Sequence, residues 1–325
     1  MKGPTADQTG SFGFVSPDTE PSLWRNGEVL MIRDPDGGLS QSKGVNLEQH
    51  SLPVTNARLR QGGDQPTCES NGFELRHAPL EGDVDFLDNA RVVLEYYPQC
   101  AALIESVTEG KAYAFDHNVR SASGNKDQRR IEGGQAVQGP AHVVHGDYTL
   151  RSAVDRVHQL ALPPEGNDTL RRYLPEGESL YTAEEAGRAL SEGGRFAIIN
   201  VWRNIDDHPV ATHPLALCDS QTVVPEDLVV FEIHYPNRIG ENYWAKYSAN
   251  FRMYYYPEMT REEALIIKQW DSAGPLARTQ GKQGDGSAPD APCTFSFHSA
   301  FHAPDTPDDA PDRWSIEVRC MVIYP

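Results

Sequence analysis

His145 and Asp147 stand two positions apart at the end of a short apolar run, in the tract "PAHVVHGDYTLRSA". In extended backbone, side chains at i and i+2 project to the same side, so this pair aims an imidazole and a carboxylate at one point. With a second imidazole they make the facial set of two His and one carboxylate that holds non-heme Fe(II) and leaves coordination positions open. His298, far downstream in "TFSFHSAF", offers that imidazole. Farther on, Arg313 and Ser315 again stand two apart. On one strand face they can hold one end of a dicarboxylate through a charge-assisted pair and a hydroxyl hydrogen bond. Iron plus a bound keto-dicarboxylate is a coherent chemical set. His302, four residues after His298, is the rival ligand and reads as a surface-loop histidine. His142 points to the opposite strand face from His145 and reads either as packing or as a support behind the ligands.

The elements that must position these groups follow from periodicity and punctuation. Residues 1–45 are rich in Gly, Pro, Ser and Asp and read as a loosely packed arm, with a short strand near Glu28–Ile32. Residues 46–325 read as a single domain, beginning with an edge strand in "GVNLEQHSLPVTNARLRQGG". An apolar stripe predicts a helix over 85–109, broken or restarted at Pro98. Residues 111–122 predict a strand, and the polar 121–139 a mobile loop next to the site. Helical spacing continues at 148–162 and 182–194, where Thr182 and Glu185 form a capping box. Short strands follow in "RFAIINVWRNI", "LALCDSQTV", "EDLVVFEIHYP", "ENYWAKYS" and "FRMYYYP". "TREEALIIKQWDS" predicts a helix, with Thr260 and Glu263 as its capping box and Lys268, Asp271 and Ser272 at its end as structural residues. Two closing strands surround "FSFHSAF" and "SIEVRCMVIY". The expected fold is mainly β with flanking helices, around a double-stranded β-helix, or jelly-roll, core.

Composition narrows the function. The 325 residues carry a net charge of −18, with no basic run to offset it, which argues against a nucleic-acid backbone or an anionic membrane surface as partner. No apolar run approaches the ~20 residues of a membrane helix. The first residues lack the apolar core of a signal peptide. Five scattered cysteines form no Cys-x-x-Cys pair, which disfavours a thiolate zinc site and fits reduced thiols in a cytoplasmic protein.

The chain resembles the CmcJ/NvfI/AsaB-like hydroxylase/desaturase family of Fe(II)/2-oxoglutarate-dependent oxygenases over about residues 85–325. The resemblance is carried by "FDHNVR", "VHGDYT", "INVWRNI", "HPLALCDSQTV", "DLVVFEIHYP", "MYYYPEMTREEALIIKQWDS", "FHSAF" and "RWSIEVR", in that order. Members usually have Pro where Phe297 stands and Glu where Trp314 stands; neither change touches the proposed ligands. The resemblance implies Fe(II) held by His145, Asp147 and His298. It implies 2-oxoglutarate held by Arg313 and Ser315, with Arg319 as competitor for that task. It also implies O2 as cosubstrate and a small-molecule substrate from secondary metabolism. Hydroxylation, desaturation and oxidative cyclisation are the expected outcomes.

Four further residues are weighed as substrate contacts. His117 and Arg120 lie on a strand entering the site, and either contacts substrate or serves structure. Arg203 follows a buried strand and needs a partner, for which Asp219 is the nearest reading; a substrate role is the alternative. Tyr255, in a run of tyrosines that alternate faces, is expected to line the pocket. Glu317 is expected to pair with Arg319. Two other functions compete: a divalent-metal hydrolase or lyase on the same triad, and a non-catalytic jelly-roll binding protein. The Arg-x-Ser pair argues against the first and the intact triad against the second. A homodimer is the assembly alternative to a monomer.

Overall fold

The structure, a computed structural model, describes residues 7–34, 39–166, 168–236, 238–304 and 306–325. Its strands in chain order are β1 (Asp7–Val15), β2 (Leu30–Arg33), β3 (Leu39–Lys43), β4 (Leu47–Asn56) and β5 (Phe73–His77). Next come β6 (Lys111–Arg120), β7 (His145–Gly146), β8 (Phe196–Asn204), β9 (Leu215–Cys218) and β10 (Leu228–His234). The last are β11 (Ile239–Ala245), β12 (Met253–Tyr255), β13 (Glu263–Asp271), β14 (His298–Ala300) and β15 (Ser315–Ile323). Two sheets result. One has the order β1-β4-β12-β9-β14-β7-β11-β10-β2-β3, the other β5-β13-β8-β15-β6. They form a jelly roll, and the mainly β architecture agrees with the sequence reading.

The smaller sheet is covered on both faces. The helical segment Tyr97–Val107 packs on the outer side of β6, β15 and β8, and the larger sheet lies on the inner side. All nine residues of β8 are therefore buried, which is why "FAIINVWRN" lacks polar alternation. An aromatic layer fills the space between the sheets. Trp270 stacks on Phe295 at 6.3 Å, and Phe295 meets Phe297 edge to face at 5.1 Å.

Several expectations are corrected. Residues 7–15 belong to no loose arm: β1 pairs along its whole length with β4, and Phe12 and Phe14 are fully buried. The arm's segments 1–6 and 35–38 lie outside the described residues. β4 is not an edge strand, because β1 and β12 flank it. The tract expected as a helix at 260–272 forms β13, between β5 and β8. Thr260 N–H does donate to Glu263 Oε2 at 3.0 Å, but that bond specifies only a turn. Ala264 through Asp271 are all buried, because the run is walled by β5 and β8 at its edges and covered on both faces. Residues 121–139 are organised rather than open loop. Ser121 caps a short helix at Ala122–Lys126, and Ile131 and Val137 are buried.

The first helical region runs from Asn89 to Val107 through a π turn at Val92–Tyr96. Pro98 cannot donate to the carbonyl one turn back, and the wider turn just before it lets the helix restart without leaving its axis. Thr182 and Glu185 form the expected capping box on the helix Ala183–Leu190.

Candidate metal centre

β14 lies between β9 and β7, and its His298 pairs directly with His145 across the ladder. This register brings two histidines distant in sequence to a ring separation of 4.4 Å. Asp147 lies just past β7 and projects to the same side. Its Oδ1 is 3.7 Å from His145 Nε2 and 4.0 Å from His298 Nε2. One ligand atom from each residue lies within 4.8 Å of the others, so the three could hold one metal ion.

The surroundings select which atoms face that ion. His145 Nδ1 lies 2.8 Å from the carbonyl of Val143. A carbonyl only accepts, so Nδ1 carries the proton and Nε2 presents its lone pair to the centre. Asp147 Oδ2 accepts from Asn200 Nδ2 at 3.2 Å and from Arg319 Nε at 3.3 Å, leaving Oδ1 turned to the histidines. Burial alone would raise the Asp147 pKa. The Arg319 guanidinium and the two imidazoles outweigh it and hold the carboxyl well below its ordinary value. Burial, with His298 beside it, pushes His145 down to about 3. Both shifts favour the ligating forms, a carboxylate and a neutral imidazole.

Gly146 makes this approach possible. A Cβ there would lie 2.8 Å from the buried Phe295 ring.

Arg313, two residues before β15, and Ser315, Glu317 and Arg319 within it occupy alternate positions along the chain. Arg319 is already engaged by two acids: Asp147, and Asp116 Oδ2 at 3.0 Å from its Nη1. Glu317 accepts from Asn200 instead of pairing with Arg319. Arg313 differs. It is buried beneath the Trp202 ring at 5.7 Å, its Nη1 donates to the His213 carbonyl, and no described carboxylate forms an ion pair with it. Its Nε and the Ser315 Oγ are both buried without hydrogen-bond partners among the described residues. Burial, then Arg120, depress the Arg313 pKa. A buried cation beside an orphaned hydroxyl is a cradle that an incoming carboxylate would complete.

The other sequence candidates divide. Arg120 lies on β6 opposite Ser315, donates to the Gly139 carbonyl at 2.9 Å, and is near enough to Glu317, Arg319 and Asp147 to feel their charge. His117 faces the helix and bonds Tyr97 Oη at 2.8 Å, away from the centre; burial pushes its pKa down to about 4. Arg203 is also on the outer face, where Nε donates to Tyr96 Oη at 3.0 Å. Its expected partner Asp219 pairs with Arg252 at 2.9 Å instead. Arg203 lines an outer cleft of about 630 Å³ that contains no triad residue. Tyr255 packs edge to face on Phe301 at 5.6 Å, next along the chain from β14. Lys268 and Asp271 pair at 2.9 Å within β13, in a network with Arg195 and Glu69.

Sequence reasoning missed Asn200 and Gln269, whose Oε1 accepts from the Asp147 N–H at 3.2 Å. A signal was available: each is a polar residue inside a run of buried apolar ones, and such a residue needs a partner.

Comparisons with known proteins agree with this chemistry. A family model described as "Oxidoreductase/YMDC permease-like domain" matches residues 14–175 and 177–323. The Fe(II)/2-oxoglutarate-dependent dioxygenase nvfI of Aspergillus novofumigatus is 30% identical over 95% of this chain and 94% of its own length. The hydroxylase/desaturase poxK of Penicillium oxalicum is 26% identical over 98% and 92%. A solved structure of a variant of the iron and alpha-ketoglutarate-dependent endoperoxidase NvfI superposes with a TM-score of 0.73 at 25% identity, covering 99% of each chain.

Proposed function

The chain belongs to the hydroxylase/desaturase family of Fe(II)/2-oxoglutarate-dependent oxygenases, and from that premise we propose which residues run its chemistry. It is an oxidoreductase using Fe(II), 2-oxoglutarate and O2. When bound, these supply oxidative decarboxylation of the keto acid to succinate, coupled to hydrogen removal from a small-molecule secondary-metabolite intermediate. Hydroxylation, desaturation or oxidative cyclisation would follow from where the substrate presents its hydrogens.

His145 and His298 would hold the iron through Nε2, and Asp147 through Oδ1. Asn200 and Arg319 would fix the second carboxylate oxygen and keep the aspartate monodentate. Arg313 and Ser315 would take the distal carboxylate of 2-oxoglutarate. The observation that carries this assignment is the pair of orphaned atoms, Arg313 Nε and Ser315 Oγ, buried where the chain enters β15, the strand that carries the Asp147 partner Arg319. Arg319 is the weaker clamp, because Asp147 and Asp116 already satisfy it. Arg120 is the remaining cation at the site and would contact substrate. His117 and Arg203 would stay structural, and Tyr255 would act through packing around Phe301.

Succinate formation from 2-oxoglutarate with Fe(II) and O2, measured on the whole chain, tests the reading. His145→Ala and Asp147→Ala are expected to lose turnover while retaining the wild-type circular dichroism. Full turnover in either folded variant would refute the ligand assignment. Turnover without O2 or 2-oxoglutarate would favour a metal-dependent hydrolase.

No described helix is long and apolar enough to cross a membrane. The acidic charge supports the absence of nucleic-acid and anionic-membrane partners, and the free, buried thiols support a cytoplasmic setting. Light scattering distinguishes a monomer from the homodimer.

A further inference from the structure

A second histidine cluster, distinct from the triad, lies at the ends of β7, β9 and β14. His142 precedes β7, His213 precedes β9 and His302 follows β14, so neighbouring strands of the larger sheet each contribute one imidazole. His142 and His302 stack at 4.1 Å with an interplanar angle of 8°, and His213 meets them edge-on at 5.1 and 5.2 Å. One ring nitrogen from each lies within 4.8 Å of the others.

Two observations point to a ligand. The Nδ1 atoms of His142 and His213 are buried with no hydrogen-bond partner among the described residues. Imidazole nitrogens in such a position normally find a donor, an acceptor or a metal. His213 also has φ +46°, in the left-handed region that a non-glycine residue occupies at a cost. That backbone presents its ring to the cluster and its carbonyl to Arg313.

We propose that His142, His213 and His302 form a second metal site, taking a borderline divalent ion such as Zn(II) with one position open to water. Three imidazoles suit Zn(II), and no carboxylate belongs to the group, which disfavours Mg(II) or Ca(II). Burial keeps His142 neutral, pushing its pKa down to about 4. Zn–N bonds of about 2.0–2.1 Å place ligand nitrogens about 3.4 Å apart in a tetrahedron, so the group must close by up to about 1.4 Å. His302 is exposed and can supply that movement. Once bound, the ion would tie together the approaches to β7 and β9 and the exit from β14.

The site is tested on the metal-free whole chain by titration with Zn(II) and Co(II), with bound metal counted by elemental analysis. Wild type is expected to hold two equivalents, one at each cluster. His302→Ala and His145→Ala should each hold one, and the combined variant none. His213→Asn, which tolerates the left-handed backbone, should behave as His302→Ala, and far-UV circular dichroism checks that both are folded. In the His145→Ala background, Co(II) should give the intense visible absorption of a four-coordinate ion, and Zn(II) should raise Tm. Adding His302→Ala should remove both effects. A single equivalent in wild type that folded His302→Ala retains, or two retained in folded His302→Ala, would overturn the proposal, whereas a single equivalent lost in His302→Ala would count against the triad instead. The readouts need no turnover, so they stand apart from the iron assignment.

Discussion

Asp147 divides its oxygens between two tasks, with Oδ1 toward the imidazoles and Oδ2 toward Asn200 and Arg319. Removing the Oδ2 partners should free the carboxylate to rotate. Arg319→Ala or Asn200→Ala is therefore expected to weaken Fe(II) binding by about 10–100-fold, the range for partners that orient metal ligands. The apparent KM for 2-oxoglutarate at saturating iron should stay near wild type. Arg313→Ala should do the reverse. Losing one charge-assisted hydrogen bond costs about 1.5–3 kcal/mol, or roughly 10–150-fold in apparent KM for 2-oxoglutarate, with iron affinity retained. Steady-state kinetics with iron titration separates the two. A large KM effect in Arg319→Ala with none in Arg313→Ala would exchange their roles.

Two elements carry predictions of their own. β7 is only two residues long, and its Gly146 is the contact surface for Phe295. Gly146→Ala should overpack that contact at a cost of about 1–3 kcal/mol and displace both His145 and Asp147. Thermal unfolding should register the first effect and Fe(II) affinity the second; unchanged values in both would mean that the ring moves aside freely. The helix Ala183–Leu190 provides a pH test. The backbone N–H of Thr182 and the Tyr113 hydroxyl hold the Glu185 carboxyl down at about 2. A depressed carboxyl contributes stability that is fully present above its unfolded pKa of ~4.5 and lost as pH falls toward 2. Glu185→Gln should thus unfold at lower Tm than wild type at pH 6, and the gap should shrink between about pH 4.5 and 2. A gap that does not change with pH would assign the cap's effect to packing.

For the molecule as a whole, β1 ties the first described residues to the candidate metal centre. Gly13 N–H donates to the His142 carbonyl at 2.8 Å, and Val144 N–H returns a bond to the Gly13 carbonyl at 3.0 Å. Phe12 also packs on Phe301 at 5.5 Å, beyond β14. Deleting residues 1–15 should expose one side of the tract that leads into His145 and strip a buried aromatic pair from the core. Replacing a single buried Phe by Ala costs about 3–5 kcal/mol, so the truncated chain is expected to lose cooperative unfolding or iron binding. Calorimetry with and without Fe(II) reads both. Wild-type values in each would return this segment to the status of an arm.

The amino-acid sequence alone determined those features that depend on short spacings. His145 and Asp147 share a side because extended backbone repeats every two residues, and the same holds for Arg313 and Ser315. Thr182 and Glu185 cap a helix because the box is closed within four residues. What the tertiary structure decided was partnership. Which cation would be left for a carboxylate depended on which acids the register set beside Arg319. Thr260 and Glu263 looked like a helix start, yet the segment became a strand because both of its sides were already walled by β5, β8 and the layers above and below. Asn200 reached Asp147, and three scattered histidines reached one another, only through the order in which the strands lie. Local geometry is written within a few residues of chain, whereas burial and charge pairing are properties of neighbours that only the folded sheets supply.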